Sequence, residues 1–265
     1  MSLSKAKTLF PVFFLFALFL ISSCRNESQD EKRILVFSKT EGYRHESIEA
    51  GKLALMKLGA ENNIKVDTTE NSAYFTEDSL NRYSAVVFLN TTMDILDHRQ
   101  EIAFERFIQS GGGFVGVHSA ADTEYDWPWY GKLVGAYFHS HPGDPNVRTA
   151  VLEVKDKNNP ATSFLPERWE RMDEWYNYKS INPKIKVLAT LDTTSYEDGV
   201  HFGREHPIAW YHEYDGGRAF YTGGGHTDES FSEPLFLQHL LEGIQYAIGE
   251  NRQLDYSKAH SKRVP

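Results

Sequence analysis

Short apolar runs and amphipathic stripes alternate along most of the chain. Ile34-Leu35-Val36-Phe37 is an unbroken apolar run leading to Gly42-Tyr43-Arg44-His45, the pattern of a buried parallel strand entering a loop. A helix is predicted over 47–58, with Ile48, Leu55 and Leu58 apolar and Gly59 at its end. Residues 86–89 and 114–117 read as two further buried strands. Between them, 98–110 carries Phe104, Phe107 and Ile108 on one helical face and stops at Gly111. Pro128 suits a helix start, and Tyr130, Leu133, Val134 and Tyr137 follow at i, i+3, i+4 and i+7.

After Gly143 strands dominate. Residues 150–154, 186–191, 208–214 and 218–222 have strand character, and Asp215-Gly216-Gly217 between the last two is a hairpin signal. A final helix over 233–248 aligns Leu237, Leu240, Leu241, Ile244 and Ile248 in one stripe. Alternating elements followed by a hairpin predict a mixed α/β sheet covered by helices. In such sheets ligands sit beyond the carboxyl ends of the strands. Those ends are where chemistry is sought.

The N-terminus has a different pattern. Lys5 and Lys7 precede 13 apolar residues, 9–21, closed by Ser22-Ser23-Cys24. Such a run spans about 20 Å as a helix, short of the roughly 30 Å hydrocarbon core, so 1–23 reads as a signal peptide and not a membrane span. Leu20-Ile21-Ser22-Ser23-Cys24 resembles a bacterial lipobox, which implies cleavage before Cys24 and its lipidation. Residues 24–33 then form a polar lipidated tether, 34–249 one domain, and 250–265, which lacks a sustained period, a flexible tail. The expected location is the bacterial cell envelope, on its periplasmic or surface face.

Composition narrows the function. The chain has 265 residues, 37 acidic against 28 basic, and a net charge of −9, which argues against nucleic acid as a partner. Loss of 1–23 removes Lys5 and Lys7 and moves the charge to −11. Cys24 is the single cysteine, so a disulfide framework and a cysteine-cluster zinc site are excluded.

Four strand ends carry candidate chemistry. In Gly116-Val117-His118-Ser119-Ala120 a buried strand enters a tight turn in the layout of a nucleophile elbow, with His118 at its centre and Asp122 four residues on. Histidine there suits a general base or metal ligand better than an acyl nucleophile; the alternative is a core histidine satisfied by hydrogen bonds. The other ends hold His45, Glu174 within Asp173-Glu174-Trp175-Tyr176, and His226 after three glycines that let the backbone approach a ligand closely. His139 and His141 form an i, i+2 pair in a turn, a spacing that can chelate metal. Aromatics bunch nearby, Trp127, Trp175 and Tyr176 among them, suited either to sugar stacking or to core packing.

Taken in order, Gly42-Tyr43-Arg44-His45-Glu46-Ser47-Ile48, Gly111-Gly112-Gly113-Phe114-Val115-Gly116-Val117-His118-Ser119, Asp173-Glu174-Trp175-Tyr176 and Tyr221-Thr222-Gly223-Gly224-Gly225-His226 resemble the blocks of ThuA-like (trehalose-utilisation) proteins. That family is a branch of the class I glutamine amidotransferase-like fold, and the resemblance covers about 34–248. It implies a flavodoxin-like three-layer α/β sandwich with a mostly parallel central sheet and an extra antiparallel hairpin. It also implies a loss: where amidotransferases carry an elbow cysteine, this chain has His118, so glutaminase chemistry through a thiol is excluded. Ser119 lies one place off the elbow register, which disfavours a serine hydrolase.

The family is associated with use of trehalose and related disaccharides, including 3-keto forms. The resemblance therefore implies a sugar hydrolase, lyase or isomerase acting on a disaccharide or 3-keto-glycoside. His118, Glu174, His226, His45 and Asp122 would be its catalytic groups. Tyr43, Arg44, Ser119, Trp127, Trp175 and Tyr176 would bind the sugar, and His45, His118 and His226 could hold a divalent metal. The alternative is a non-catalytic envelope carbohydrate-binding protein built on the same pocket.

Overall fold

The computed structural model describes residues 1, 32–197, 205–250 and 253–262. Cys24 and, Met1 apart, the expected signal peptide lie outside the described residues. The first half forms β1 (Lys32–Phe37), α1 (Ile48–Glu61), β2 (Ile64–Thr69), α2 (Glu77–Leu80), β3 (Ala85–Leu89), α3 (His98–Gln109), β4 (Gly113–Val117) and α4 (Pro128–Val134). Strands dominate the second half: β5 (Tyr137–Ser140), β6 (Val147–Val154), α5 (Pro160–Ser163), β7 (Arg168–Glu174) and β8 (Asn177–Lys179). It closes with β9 (Lys186–Asp192), β10 (Pro207–Tyr214), β11 (Gly217–Thr222) and α6 (Pro234–Ile248).

Nine strands make one sheet in the order β2-β1-β3-β4-β11-β10-β9-β6-β7, while β5 and β8 pair separately. The pairs from β2 through β11 are parallel, which is the flavodoxin-like order 2-1-3-4-5 with β11 as fifth strand. From β11 outward every pair is antiparallel, so the antiparallel part extends well beyond one hairpin. The β10–β11 turn is Asp215-Gly216, both with positive φ, as a two-residue hairpin with right-handed strand twist requires.

Both faces of the parallel half are covered, which is why β3 and β4 are buried at every position. On one face Phe88 and Phe114 pack against Phe104 of α3 and Tyr130 of α4. On the other, α1 and α6 close over the sheet, and Phe220 fills the space left by Gly243 of α6. The strands therefore end on a layer held rigid from both sides.

Several predicted boundaries shift for identifiable reasons. α1 runs through Gly59 to Glu61, because Gly59 is a contact point and not a stop: a Cβ there would lie 2.5 Å from the Ile64 carbonyl oxygen. α4 ends at Val134 with Gly135 in the left-handed conformation, so Tyr137 belongs to β5 and not to the helical stripe. Lys32 and Arg33, placed in the tether by composition, are residues of β1. The described part of the expected flexible tail, 253–262, has tertiary partners: Gln109 Oε1 accepts from the backbone N–H groups of His260 and Ser261, and Arg106 donates to the Ser261 carbonyl.

His239 of α6 lies wholly inside this core, its Nδ1–H donating to the Ala161 carbonyl at 2.8 Å. Burial pushes its pKa down to about 4. The unfolded chain binds this proton near pH 6.5, so His239 contributes full stability above that pH and loses it as pH falls toward 4, about 3 kcal/mol in all. We expect the urea-unfolding free energy of His239→Gln to fall less steeply from pH 7 to 4 than that of the wild type. Parallel pH profiles for the two proteins would refute a neutral His239.

Candidate metal centre

β4 delivers His118 at φ 48°, a left-handed backbone that costs a non-glycine residue on the order of 1 kcal/mol. The chain then makes a short 3-10 turn over His118–Asp122 instead of a full elbow helix. Two bonds hold the turn. The His118 carbonyl accepts the Tyr221 hydroxyl at 2.7 Å, and its Nδ1 lies 2.9 Å from the Gly223 carbonyl. A carbonyl can only accept, so Nδ1 carries a proton and Nε2 is the nitrogen turned toward the other three segments. Gly116 makes room for the Tyr221 ring, which a Cβ would approach to 2.9 Å.

Three other segments converge on that Nε2. Glu174, the last residue of β7, places Oε2 3.2 Å from it, and His226 Nδ1 lies 3.3 Å from it and 3.1 Å from Glu174 Oε2. His45 follows from the loop after β1, its ring centroid 4.9 Å from His118 and 5.0 Å from His226. One ligand atom from each of the four lies within 4.8 Å of the others. Tetrahedral bonds of about 2.1 Å to one ion place ligand atoms about 3.4 Å apart, so the three closest donors already have coordination spacing. Three imidazoles and a carboxylate are a donor set for zinc and its first-row neighbours.

The donors differ in their electrostatics. Burial, reinforced by His118 and His226, pushes His45 down to about 2, which keeps it neutral and able to ligate. Burial would raise Glu174, but hydrogen bonds from His118 and His226 outweigh it and hold the carboxylate well below its usual range. Burial likewise opposes the charged form of His226, and the bond to Glu174 outweighs it, raising this histidine.

Asp173, next to Glu174 on β7, faces the opposite way and ties the segments together. Its Oδ1 accepts the backbone N–H groups of Glu174 and His226 at 2.9 and 3.0 Å. Its Oδ2 accepts Gly225 N–H at 2.8 Å and the Ser230 hydroxyl at 2.9 Å, and Arg171 Nη1 lies 3.3 Å away. From the other side Ser47 and Asn90 both donate to the Gly225 carbonyl at 2.9 Å. The three glycines before His226 pass close to protein side chains: a Cβ on Gly224 would lie 2.2 Å from Arg171 Nη1, and one on Gly223 2.5 Å from the Tyr178 hydroxyl.

A cavity of about 280 Å³ opens onto His45, Glu174 and His226, with His118 buried behind them, and is lined also by Tyr43, Asp122, Phe138, His141, Asn146 and Tyr176. Burial raises the Asp122 carboxyl, opposed by the hydrogen bond from Tyr125. The Tyr176 ring lies 4.2 Å from His118, and Ser119 braces His45, with Oγ 3.3 Å from Nδ1. Three expected sugar-binding residues lie elsewhere. Arg44 turns to Glu70 and Glu49, Trp127 stacks on Trp129 beside α3, and Trp175 is fully buried with its indole N–H on the Arg148 carbonyl. The indoles went to core packing because each ring has a large apolar surface to bury. Asn146, whose amide donates to Glu174 Oε1, is the lining residue that no sequence pattern marked. Asp173 sat in a quoted block, but an acid beside an acid gave no hint that it faces inward.

Because Asp173 sets the spacing of Glu174 and His226, Asp173→Asn is expected to weaken Zn²⁺ binding about 10- to 100-fold, as loss of an outer-shell partner does. Competition with a chromogenic chelator measures this, with circular dichroism checking the fold; unchanged affinity would rule out the positioning role.

The ThuA family profile, described as trehalose utilisation, matches residues 33–247. In structure the chain is similar to a ThuA-like protein of Bacteroides uniformis, at 23% identity and TM-score 0.71, covering 84% of this chain and 93% of that one. A ThuA-like protein of Parabacteroides merdae is similar at 18% identity and TM-score 0.63, covering 84% and 92%. A β-galactosidase from a Rahnella species shares the fold over 82% of this chain and 32% of its own, at 13% identity and TM-score 0.52. No curated protein matches the chain in sequence. With four of its sequence blocks meeting at one buried cluster and the profile spanning nearly the whole folded domain, the chain belongs to the ThuA family.

Proposed function

We propose that this protein is a carbohydrate-active enzyme, a lyase or hydrolase acting on a keto-glycoside, with a divalent cation held by His45, His118, Glu174 and His226. The convergence of those four donors beneath a cavity carries the reading. Membership of a family described by trehalose utilisation supports a carbohydrate-related role. A cation held there would polarise a substrate oxygen as a Lewis acid.

The remaining chemistry belongs to the chain. His118 points Nε2 at Glu174 and His226, which suits a ligand, so the proton-moving role passes to Asp122. A carboxyl raised by burial is a better proton acceptor than a solvated one. A keto group two carbons from the glycosidic carbon acidifies the C–H between them. Asp122 takes that proton, the C–H electron pair forms a carbon–carbon double bond, and the glycosidic C–O bond breaks. The leaving oxygen takes its proton within the cavity from His141, which lines it with Nδ1 3.6 Å from Glu174 Oε1. Tyr176 and Phe138, with rings 4.3 Å apart, supply the apolar wall against which a sugar ring can lie.

Zinc-loaded protein is expected to convert a 3-keto disaccharide, with products followed by mass spectrometry. Asp122→Asn should lower kcat by about 10²- to 10⁴-fold with one metal still bound per chain, whereas His118→Ala should lose metal and turnover together. Binding of the sugar without product over hours would favour a carbohydrate-binding protein instead. We further propose that Cys24 anchors the chain to the envelope; Cys24→Ser is expected to leave the membrane fraction on cell fractionation, and its retention there would oppose lipidation.

A further inference from the structure

A second cavity, of about 290 Å³, adjoins the first and shares Tyr43 and His226 with it as a common wall. Each cavity alone falls just under the roughly 300–1,000 Å³ typical of small-molecule sites, and joined they fall within it. The divider is suited to contact with ligand on both sides. Tyr43 is 63% exposed, and its ring meets His45 at its edge, 4.9 Å between centroids, which leaves ring surface free.

The two chambers differ in chemistry. The first holds the metal ligands. The second adds Glu46, Asp228 and Glu229 around Val147, three carboxylates with one apolar contact surface. Among the described residues no lysine or arginine lines either chamber. Two cations adjoin lining residues in the sequence: Arg44 spends its guanidinium on Glu49 and Glu70, and Arg148 donates to the Gly143 carbonyl. Carboxylates accept hydrogen bonds from sugar hydroxyls and from ammonium groups, and they repel phosphate and uronate.

We propose that the second cavity seats the leaving unit of the glycoside and that its carboxylates select a neutral or amino-bearing unit over a phosphorylated or uronic one. The inference rests on the carbohydrate reading above and names which glycosides that site takes. Tyr43 lies between the two rings, and the bond to be broken crosses the wall it shares with His226.

Calorimetry on the zinc-loaded full chain tests this with unoxidised, unreactive sugars. The ligands are glucose, a neutral glucose disaccharide, and that disaccharide with a 2-amino or a 6-phosphate group on its second ring. The disaccharide is expected to bind about tenfold tighter than glucose, its amino form at least as tightly, and its phosphate about tenfold more weakly than the neutral form. In Glu46→Gln/Asp228→Asn, both exposed positions, the amino preference and the phosphate penalty should disappear while glucose affinity is unchanged. Equal binding of glucose and the disaccharide, or a phosphate form that binds as well as the neutral one, would overturn the second subsite and leave the first intact. Failure of every sugar to bind, glucose included, would overturn the carbohydrate reading and this inference together.

Discussion

The site depends on one buried carboxylate. Asp173 is fully enclosed, yet it accepts from three backbone N–H groups and one hydroxyl and sits beside Arg171. An unpaired charge at that depth would be costly, so each of those partners is held in place by the penalty for leaving. Two of them, Glu174 and His226, are the donors that approach each other most closely. Arg171 is in turn fixed by Glu233 and by the faces of Trp169 and Phe236, so the loop after β11, the end of β7 and the start of α6 form one unit.

Charge sorts itself within this unit. Glu174 stays ionised because histidines donate to it, while His45, braced by the Ser119 hydroxyl, is driven neutral by burial. A cluster of three imidazoles and one carboxylate thus holds together in a largely buried site without requiring several like charges at once. Asp122, at the same cavity but outside the cluster, is pushed the other way, toward holding a proton. Two carboxyl groups in one cavity are thus separated in acidity by their surroundings.

Much of this was legible in the residue pattern. Unbroken apolar runs mark β1, β3 and β4 because those strands are covered on both faces, and Asp215-Gly216 marks its hairpin because the turn needs positive φ twice. His45, His118, Glu174 and His226 stood out as polar groups at strand ends, and they do meet. Arg44, Trp127 and Trp175 were misplaced because proximity in sequence to the site says nothing about which way a side chain turns. Gly59 and the glycines before His226 looked like stops and ligand contacts; their reason is steric room for Ile64, Arg171 and Tyr178, which lie far off in sequence or on another strand.

The sequence by itself determined the elements, the parallel core and the identity of the donors, because these follow from local periodicity and from which residue types can bind a metal or a proton. Tertiary structure alone decided that the donors form a site. In strand order β7 is five places from β4, which would put Glu174 roughly 24 Å from His118 in a flat sheet at about 4.8 Å per strand. They are 3.2 Å apart, so the sheet departs from flat, as twist makes sheets do, and Asp173 ties the end of β7 to the loop after β11. Sheet curvature accumulates over many strands and has no signature in any short stretch of sequence.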